Sequence, residues 1–108
     1  MPVFCIERKE AVYLKENEFQ AKLIKKLKKI FPGCIVLKND PNYKRGIPDL
    51  LVLYNDKWAA LECKRSSGAS HRQLQDYYIC EMNKMSYASF IDPTNEEMVL
   101  SELQSAFR

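Results

Sequence analysis

Three charged residues stand where a buried strand does not ordinarily carry charge. Asp49 follows Pro48 and opens the apolar run Leu50-Leu51-Val52-Leu53-Tyr54, while Glu62 and Lys64 close the run Trp58-Ala59-Ala60-Leu61. Only Asn55-Asp56-Lys57 separates the two runs, so they read as neighbouring strands of a hairpin. A two-residue Asn55-Asp56 turn pairs Tyr54 with Lys57, and counting outwards sets Asp49 opposite Glu62. Directly opposed residues hold their Cβ atoms about 4.5–5.5 Å apart. Lys64, two positions beyond Glu62, shares its face. Asn-Asp fixes such a turn less firmly than Asn-Gly, so a shifted register is the competing arrangement.

Two opposed carboxylates repel unless a proton or a cation lies between them. Oxygen ligands on neighbouring strands suit a hard divalent ion such as Mg²⁺, which keeps several waters and takes only one or two protein carboxylates. Such an ion polarises a phosphoryl oxygen and acidifies a bound water. A nearby lysine orients that water or balances charge developing on phosphate. The chemistry this set points to is metal-assisted hydrolysis of a phosphodiester. The bland alternative for Asp49, Glu62 and Lys64 is a cross-strand salt-bridge cluster at a sheet end.

The elements that must position these residues follow from periodicity. Residues 1–13 read as an arm or hairpin with two apolar runs, Val3-Phe4-Cys5-Ile6 and Ala11-Val12-Tyr13-Leu14. Residues 14–31 read as a helix: at 100° per residue Phe19, Leu23, Leu27, Ile30 and Phe31 form one stripe, and Lys22, Lys25, Lys26, Lys28 and Lys29 lie opposite. Pro32-Gly33 stops it. Cys34-Ile35-Val36-Leu37 is a short strand, and residues 39–46 are a loop rich in turn residues. The two central runs are apolar on both faces, which predicts helices on each side of the sheet. Ser70 with Gln73 resembles a capping box opening a helix to Met85, whose Leu74, Tyr77, Tyr78, Glu81 and Met85 share one side. On that spacing Tyr77 and Tyr78 are core residues rather than base-stacking platforms. Residues 87–91 form a fourth strand, and Thr94 with Glu97 repeats the capping box before a last helix. The expected fold is α/β, with a mixed four-stranded sheet flanked by helices in the order α-β-β-β-α-β-α.

A chain of 108 residues that is 46% apolar and 29% charged is one folded domain, 1–108, with no repeat and no linker. It carries neither a membrane-spanning run nor the architecture of a signal peptide, so a cytoplasmic protein is expected. Cys5, Cys34, Cys63 and Cys80 form no close pair, and His71 is the single histidine, so reduced thiols are expected and structural zinc is not. A net charge of +3 alone does not declare a nucleic-acid partner.

Gly46-Ile47-Pro48-Asp49 and, after a gap of twelve residues, Glu62-Cys63-Lys64 resemble the PD-(D/E)xK nuclease superfamily. With a helical glutamate upstream and a glutamine-bearing helix downstream, the chain looks most like its small stand-alone VRR-NUC branch, akin to phage nucleases and Holliday-junction resolvases. The resemblance runs from about Glu16 to Ile91. It implies a restriction-endonuclease-like core and a Mg²⁺- or Mn²⁺-dependent DNA endonuclease of a bacterial or phage-infected cell, with branched or four-way-junction DNA among its substrates. By that resemblance Asp49, Glu62 and the backbone carbonyl of Cys63 bind metal, Lys64 positions the attacking water, and Gln75 supports the site. Its helical glutamate precedes an apolar residue by three positions, as Glu16 precedes Phe19. The helical wheel agrees, because Glu16 falls within the apolar stripe and Glu18 falls about 200° away among the lysines. The competing role for Glu16 is to begin the helix and favour its N-terminal dipole.

Lys44, Arg45, Arg65 and Arg72 flank the proposed site and are the candidate DNA contacts, with His71 as a phosphate-contacting or capping-region residue. The lysine row of the first helix is either a solvated face or a set of phosphate contacts. A homodimer is expected, since cutting both strands of a junction needs two sites in a two-fold relation, with residues 3–14 as part of its interface. Two rivals stay open: a non-catalytic DNA-binding module that retains the nuclease fold, and a protein-interaction domain.

Overall fold

The computed structural model describes the backbone of residues 2–108 and the side chains of residues 16–108. Helix α1 (Pro2–Ile30) leads into strands β1 (Ile35–Lys38), β2 (Leu50–Tyr54) and β3 (Lys57–Cys63). Helix α2 (Gln73–Met85), strand β4 (Tyr87–Ile91) and helix α3 (Glu96–Ala106) follow. This is the expected α-β-β-β-α-β-α order around one mixed sheet, arranged β1-β2-β3-β4. The first three strands run antiparallel and β4 pairs parallel to β3. Helix α2 is the crossover that a parallel pair requires.

The N-terminal segment does not form the expected arm or hairpin, because α1 already runs from Pro2. Composition accounts for it. No glycine or proline lies between Pro2 and Pro32, and proline at the first helical position gives up an N–H that has no intrahelical partner there. Met1 and the side chains up to Lys15, including Cys5 and the apolar runs expected at a dimer interface, lie outside the described residues. Helix α1 ends where expected, with Gly33 at φ 89° and the Cys34 N–H donating to the Phe31 carbonyl at 3.0 Å.

One face of the sheet forms the core. Leu50 and Val52 of β2, Ala59, Leu61 and Cys63 of β3 and Ile91 of β4 pack under Leu23, Leu27 and Phe31 of α1 and Val99, Leu100 and Leu103 of α3. Each leucine fully buried there contributes about 1.5–3 kcal/mol, and truncating Leu27 to alanine would leave a cavity costing about 2–5 kcal/mol. The lysine row of α1 is exposed as expected. Lys26, though, is tied to α3 by bonds of 3.0 and 3.1 Å to Glu96.

The opposite face departs from expectation. Helix α2 lies over β3 and β4 but buries none of its residues: Tyr77 is 56% exposed, Met85 is more so, and Tyr78 is half-buried. The tyrosine pair is therefore not core. The strand positions on this face of β3 and β4 include the small Ala60 and Ala88, the polar Glu62, and Phe90, whose ring is stacked by His71 ahead of the helix rather than by an α2 side chain. Beside them Ile35 and Leu37 of β1 stay exposed, so this face is covered only in part. The caps also shift. Arg72, not Ser70, is the N-cap of α2, with its N–H donating to Gln75 Oε1 at 3.1 Å. Asn95, not Thr94, is the N-cap of α3, and the Asp92 carboxylate takes the N–H groups of Thr94 and Asn95 instead. At both helix starts the backbone N–H groups are taken by Gln75 and Asp92 side chains rather than by the Ser/Thr of the sequence pattern.

Candidate active site

The β2–β3 register is the one the sequence implies. Leu50 pairs with Leu61 and Tyr54 with Lys57, so Asp49 and Glu62 stand opposite each other one step beyond the ladder. The turn is closed by Asn55 at φ 55°, a left-handed conformation that asparagine adopts more readily than most residues. Each carboxylate takes a backbone N–H from the other strand. The Asp49 N–H donates to Glu62 Oε1 at 3.1 Å, and the Cys63 N–H donates to Asp49 Oδ2 at 3.0 Å. The two acids are thereby fixed to the sheet rather than to flexible loops. Asn39 braces the same corner, its amide donating to the Pro48 carbonyl at 2.7 Å and its N–H to the Asp49 carbonyl at 2.8 Å.

Lys64 shares the Glu62 side of the sheet. Its Nζ lies 3.8 Å from Glu62 Oε2 and donates to Gln75 Oε1 at 2.9 Å and to the Ser70 carbonyl at 3.2 Å. Gln75, from the first turn of α2, donates its Nε2 to Glu62 Oε2 at 3.1 Å. Glu62 is 5% exposed and Lys64 8%. Charge held this deep is unfavourable unless paired. Burial, and then the charge of Asp49, push the Glu62 carboxyl up to about 8. Asp49 is also raised, mainly by burial and further by Glu16, against the Cys63 N–H that lowers it.

Asp49 is reached from two cavities. One, of about 330 Å³, is lined by Glu16, Asn17 and Gln20 of α1 with Asn39, Asp49 and Cys63. The other, of about 520 Å³, has Asp49, Glu62 and Gln75 in its wall together with Arg45 and Arg72. Acid is thus grouped at the sheet end, with two guanidinium groups beside it. Asp49 and Glu62 are the side chains able to hold a hard divalent cation, with the Cys63 carbonyl adjacent. Among the described residues, no three His, Cys, Asp or Glu side chains converge into a group that could enclose a metal unaided. The oxygen donors and their mutual repulsion fit an ion that retains much of its water.

The candidates separate into those brought together and those kept apart. Asp49, Glu62, Lys64 and Gln75 form one hydrogen-bonded group, and Glu16 lines the first cavity half-buried while Glu18 is exposed. Because α1 begins far upstream, Glu16 is not a first-turn residue, and the dipole role weighed for it does not apply. Arg45 and Arg72 line the second cavity, whereas Lys44 lies 5.7 Å from the Tyr78 ring and exposed Arg65 lines neither. His71 is stacked on Phe90 with ring centroids 3.8 Å apart, and its Nδ1 is 3.2 Å from Asp76. It holds the entry to α2 rather than facing the acids. Gln20 and Asn39 were not singled out by sequence. Gln20 sits one helical turn beyond Glu16, which is the signal that would find it. Asn39 had only turn chemistry to mark it. Cys34, Cys63 and Cys80 are free thiols, and burial near Asp49 pushes the Cys63 thiol up, so it is no nucleophile. Compared with known proteins, the chain matches no family model, no curated protein and no solved structure.

Proposed function

We propose that this protein is a metal-dependent DNA endonuclease of the PD-(D/E)xK type, close to the VRR-NUC branch and built on a restriction-endonuclease-like core. The observation that carries the reading is the opposition of Asp49 and Glu62 across the sheet end, with Lys64 3.8 Å from Glu62. A pure binding module gains nothing from two opposed, mutually repelling acids, one buried and one half-buried. A divalent cation, Mg²⁺ or Mn²⁺, held by Asp49, Glu62 and the Cys63 carbonyl with Glu16 nearby would supply the Lewis acidity that phosphodiester hydrolysis requires.

The remaining work falls to the chain itself. The Lys64 ammonium has three hydrogens and directs two of them to Gln75 and Ser70. The third is left to orient the attacking water or a phosphate oxygen. Gln75 keeps Lys64 and Glu62 at a fixed separation, so the water is aimed rather than merely bound. Arg45 and Arg72 grip the phosphates on either side of the scissile bond, where a guanidinium makes paired bonds to phosphate oxygens. A two-fold homodimer would bring two such sites to a branched DNA, and light scattering reads that state directly.

The test incubates supercoiled, linear and four-way-junction DNA with Mg²⁺ or with EDTA. Metal-dependent cutting is the expected result. A band shift without cutting selects the non-catalytic DNA-binding module, and neither result selects a protein-interaction domain.

A further inference from the structure

The β1–β2 loop carries a side chain that the fold does not use. Tyr43 is 87% exposed and is followed directly by Lys44 and Arg45. Its backbone is held firmly: the Asn42 N–H donates to Asp40 Oδ1 at 2.8 Å and the Tyr43 N–H to the Asp40 carbonyl at 3.1 Å. The end of the loop is docked as well, since a Cβ on Gly46 would lie 2.6 Å from Leu74 Cγ. The neighbours of Tyr43 in this loop, Pro41, Asn42, Arg45 and Gly46, line the cavity that contains Asp49 and Glu62. A large ring is therefore presented to solvent on a braced support, with cations beside it and the acids close by. Leaving such a ring in water forfeits the burial that an aromatic side chain ordinarily provides.

Resting on the nuclease reading, we propose that Tyr43 is a base-stacking platform, making DNA with unpaired nucleotides beside the cleaved bond the preferred substrate over uninterrupted duplex. In an intact duplex the base faces are already stacked on one another, so an external ring meets only sugar and phosphate. An unpaired base has a free face, and stacking on an aromatic side chain there strengthens binding by roughly tenfold per base. Lys44 and Arg45 fit the adjoining phosphates, and the rigidity of the loop means little order is lost on binding.

The experiment uses a duplex carrying a short single-stranded gap with 2-aminopurine at its first unpaired position, and the matching uninterrupted duplex. Binding in EDTA reads stacking as fluorescence quenching, and Mg²⁺ then reads cleavage. The wild-type protein should quench the gapped probe and cut it about tenfold faster than duplex. Tyr43→Ala should lose the quench and bring the two rates together, while Tyr43→Phe, which keeps the ring, should retain both. Equal quenching by Tyr43→Ala and wild type, or no quenching by wild type, overturns the proposal. Absence of cutting with either Mg²⁺ or Mn²⁺ defeats the nuclease reading instead, and the fluorescence result still decides the role of Tyr43.

Discussion

Gln75 Oε1 accepts from Lys64 Nζ at 2.9 Å while the other end of the same amide donates to Glu62 Oε2 at 3.1 Å. One planar group thus sets the distance between the cation and the acid of the site. Its oxygen also takes the Arg72 N–H, which anchors the amide to the start of α2. The chain of contacts runs from helix to glutamine to lysine and glutamate, so the position of α2 becomes the position of Lys64.

Gln75→Ala should therefore slow cleavage by about 10–100-fold, the range found when partners that orient reactive groups are removed. DNA affinity should change far less, because Arg45 and Arg72 are untouched. Rates at saturating DNA, set beside binding in EDTA, separate the two effects. An equal loss in affinity and rate would mean that Gln75 contacts DNA instead of orienting Lys64. Asp49→Ala, Glu62→Ala and Lys64→Ala should each abolish cutting outright, and full activity in any of them removes the site assignment.

The register of the β-hairpin was legible because a two-residue turn leaves one parity, and parity alone puts Asp49 opposite Glu62. The strands Leu50–Tyr54 and Tyr87–Ile91 were equally plain, the first from an unbroken apolar run and the second from one interrupted only by Ser89. The start of α1 was not, because the charged middle of the N-terminal segment interrupts the apolar pattern while helix propensity continues through it. Helix α2 illustrates a second limit. Spacing shows that Leu74, Tyr77, Tyr78 and Met85 share a face, but not whether anything apolar lies against it. Tyr43 escaped notice for the related reason that exposure is a property of the fold and leaves no periodic trace.

Metal-free stability should fall with rising pH, the reverse of the usual carboxylate behaviour. The Glu62 carboxyl is raised from 4.5 to about 8 in the folded protein, so between those values the folded chain holds a proton that the unfolded chain has lost. Stability contributed by that proton is present below the unfolded value and drains away as pH climbs towards about 8. The loss is on the order of 5 kcal/mol, and Asp49 shifts in the same direction. Melting in EDTA across that window should show a falling midpoint, which Glu62→Gln flattens by removing the titrating group. Added Mg²⁺ should raise the midpoint most at the alkaline end, where both acids are ionised. A midpoint that climbs with pH in EDTA would contradict the burial assigned to the pair.

Gly46→Ala should be costly out of proportion to one methyl. Gly46 has φ 85°, and its added Cβ would meet Leu74 Cγ at 2.6 Å and Leu74 Cβ at 2.9 Å. Backbone strain and overpacking together cost about 1–4 kcal/mol. Because the same loop carries Arg45 beside the acids, cleavage should slow along with the drop in melting midpoint. Adding Leu74→Ala should recover part of the stability, since the Cγ contact goes and the Cβ contact and positive φ remain. An additive double mutant would show that the two residues do not share that contact.

Glu16 and Glu18 provide the sharpest test of how α1 meets the sheet. They are two residues apart, so a helix points them about 200° from each other. Glu16 is half-buried in the wall of a cavity shared with Asp49 and Cys63, and its charge helps to raise both Asp49 and Glu62. Glu18 is exposed on the other side. Exchanging Glu16 for glutamine keeps the shape while removing a negative charge that faces the other two acids. Without metal this relieves repulsion, so Glu16→Gln should leave the melting midpoint in EDTA unchanged or slightly higher. With Mg²⁺ the same change removes part of the field that attracts the cation, so cleavage should drop by tenfold or more and need higher Mg²⁺. Glu18→Gln should follow wild type in both measurements. The opposite pattern, with Glu18→Gln impaired and Glu16→Gln active, would require α1 to be turned by half a rotation, with its lysine row rather than Leu23 and Leu27 against the sheet.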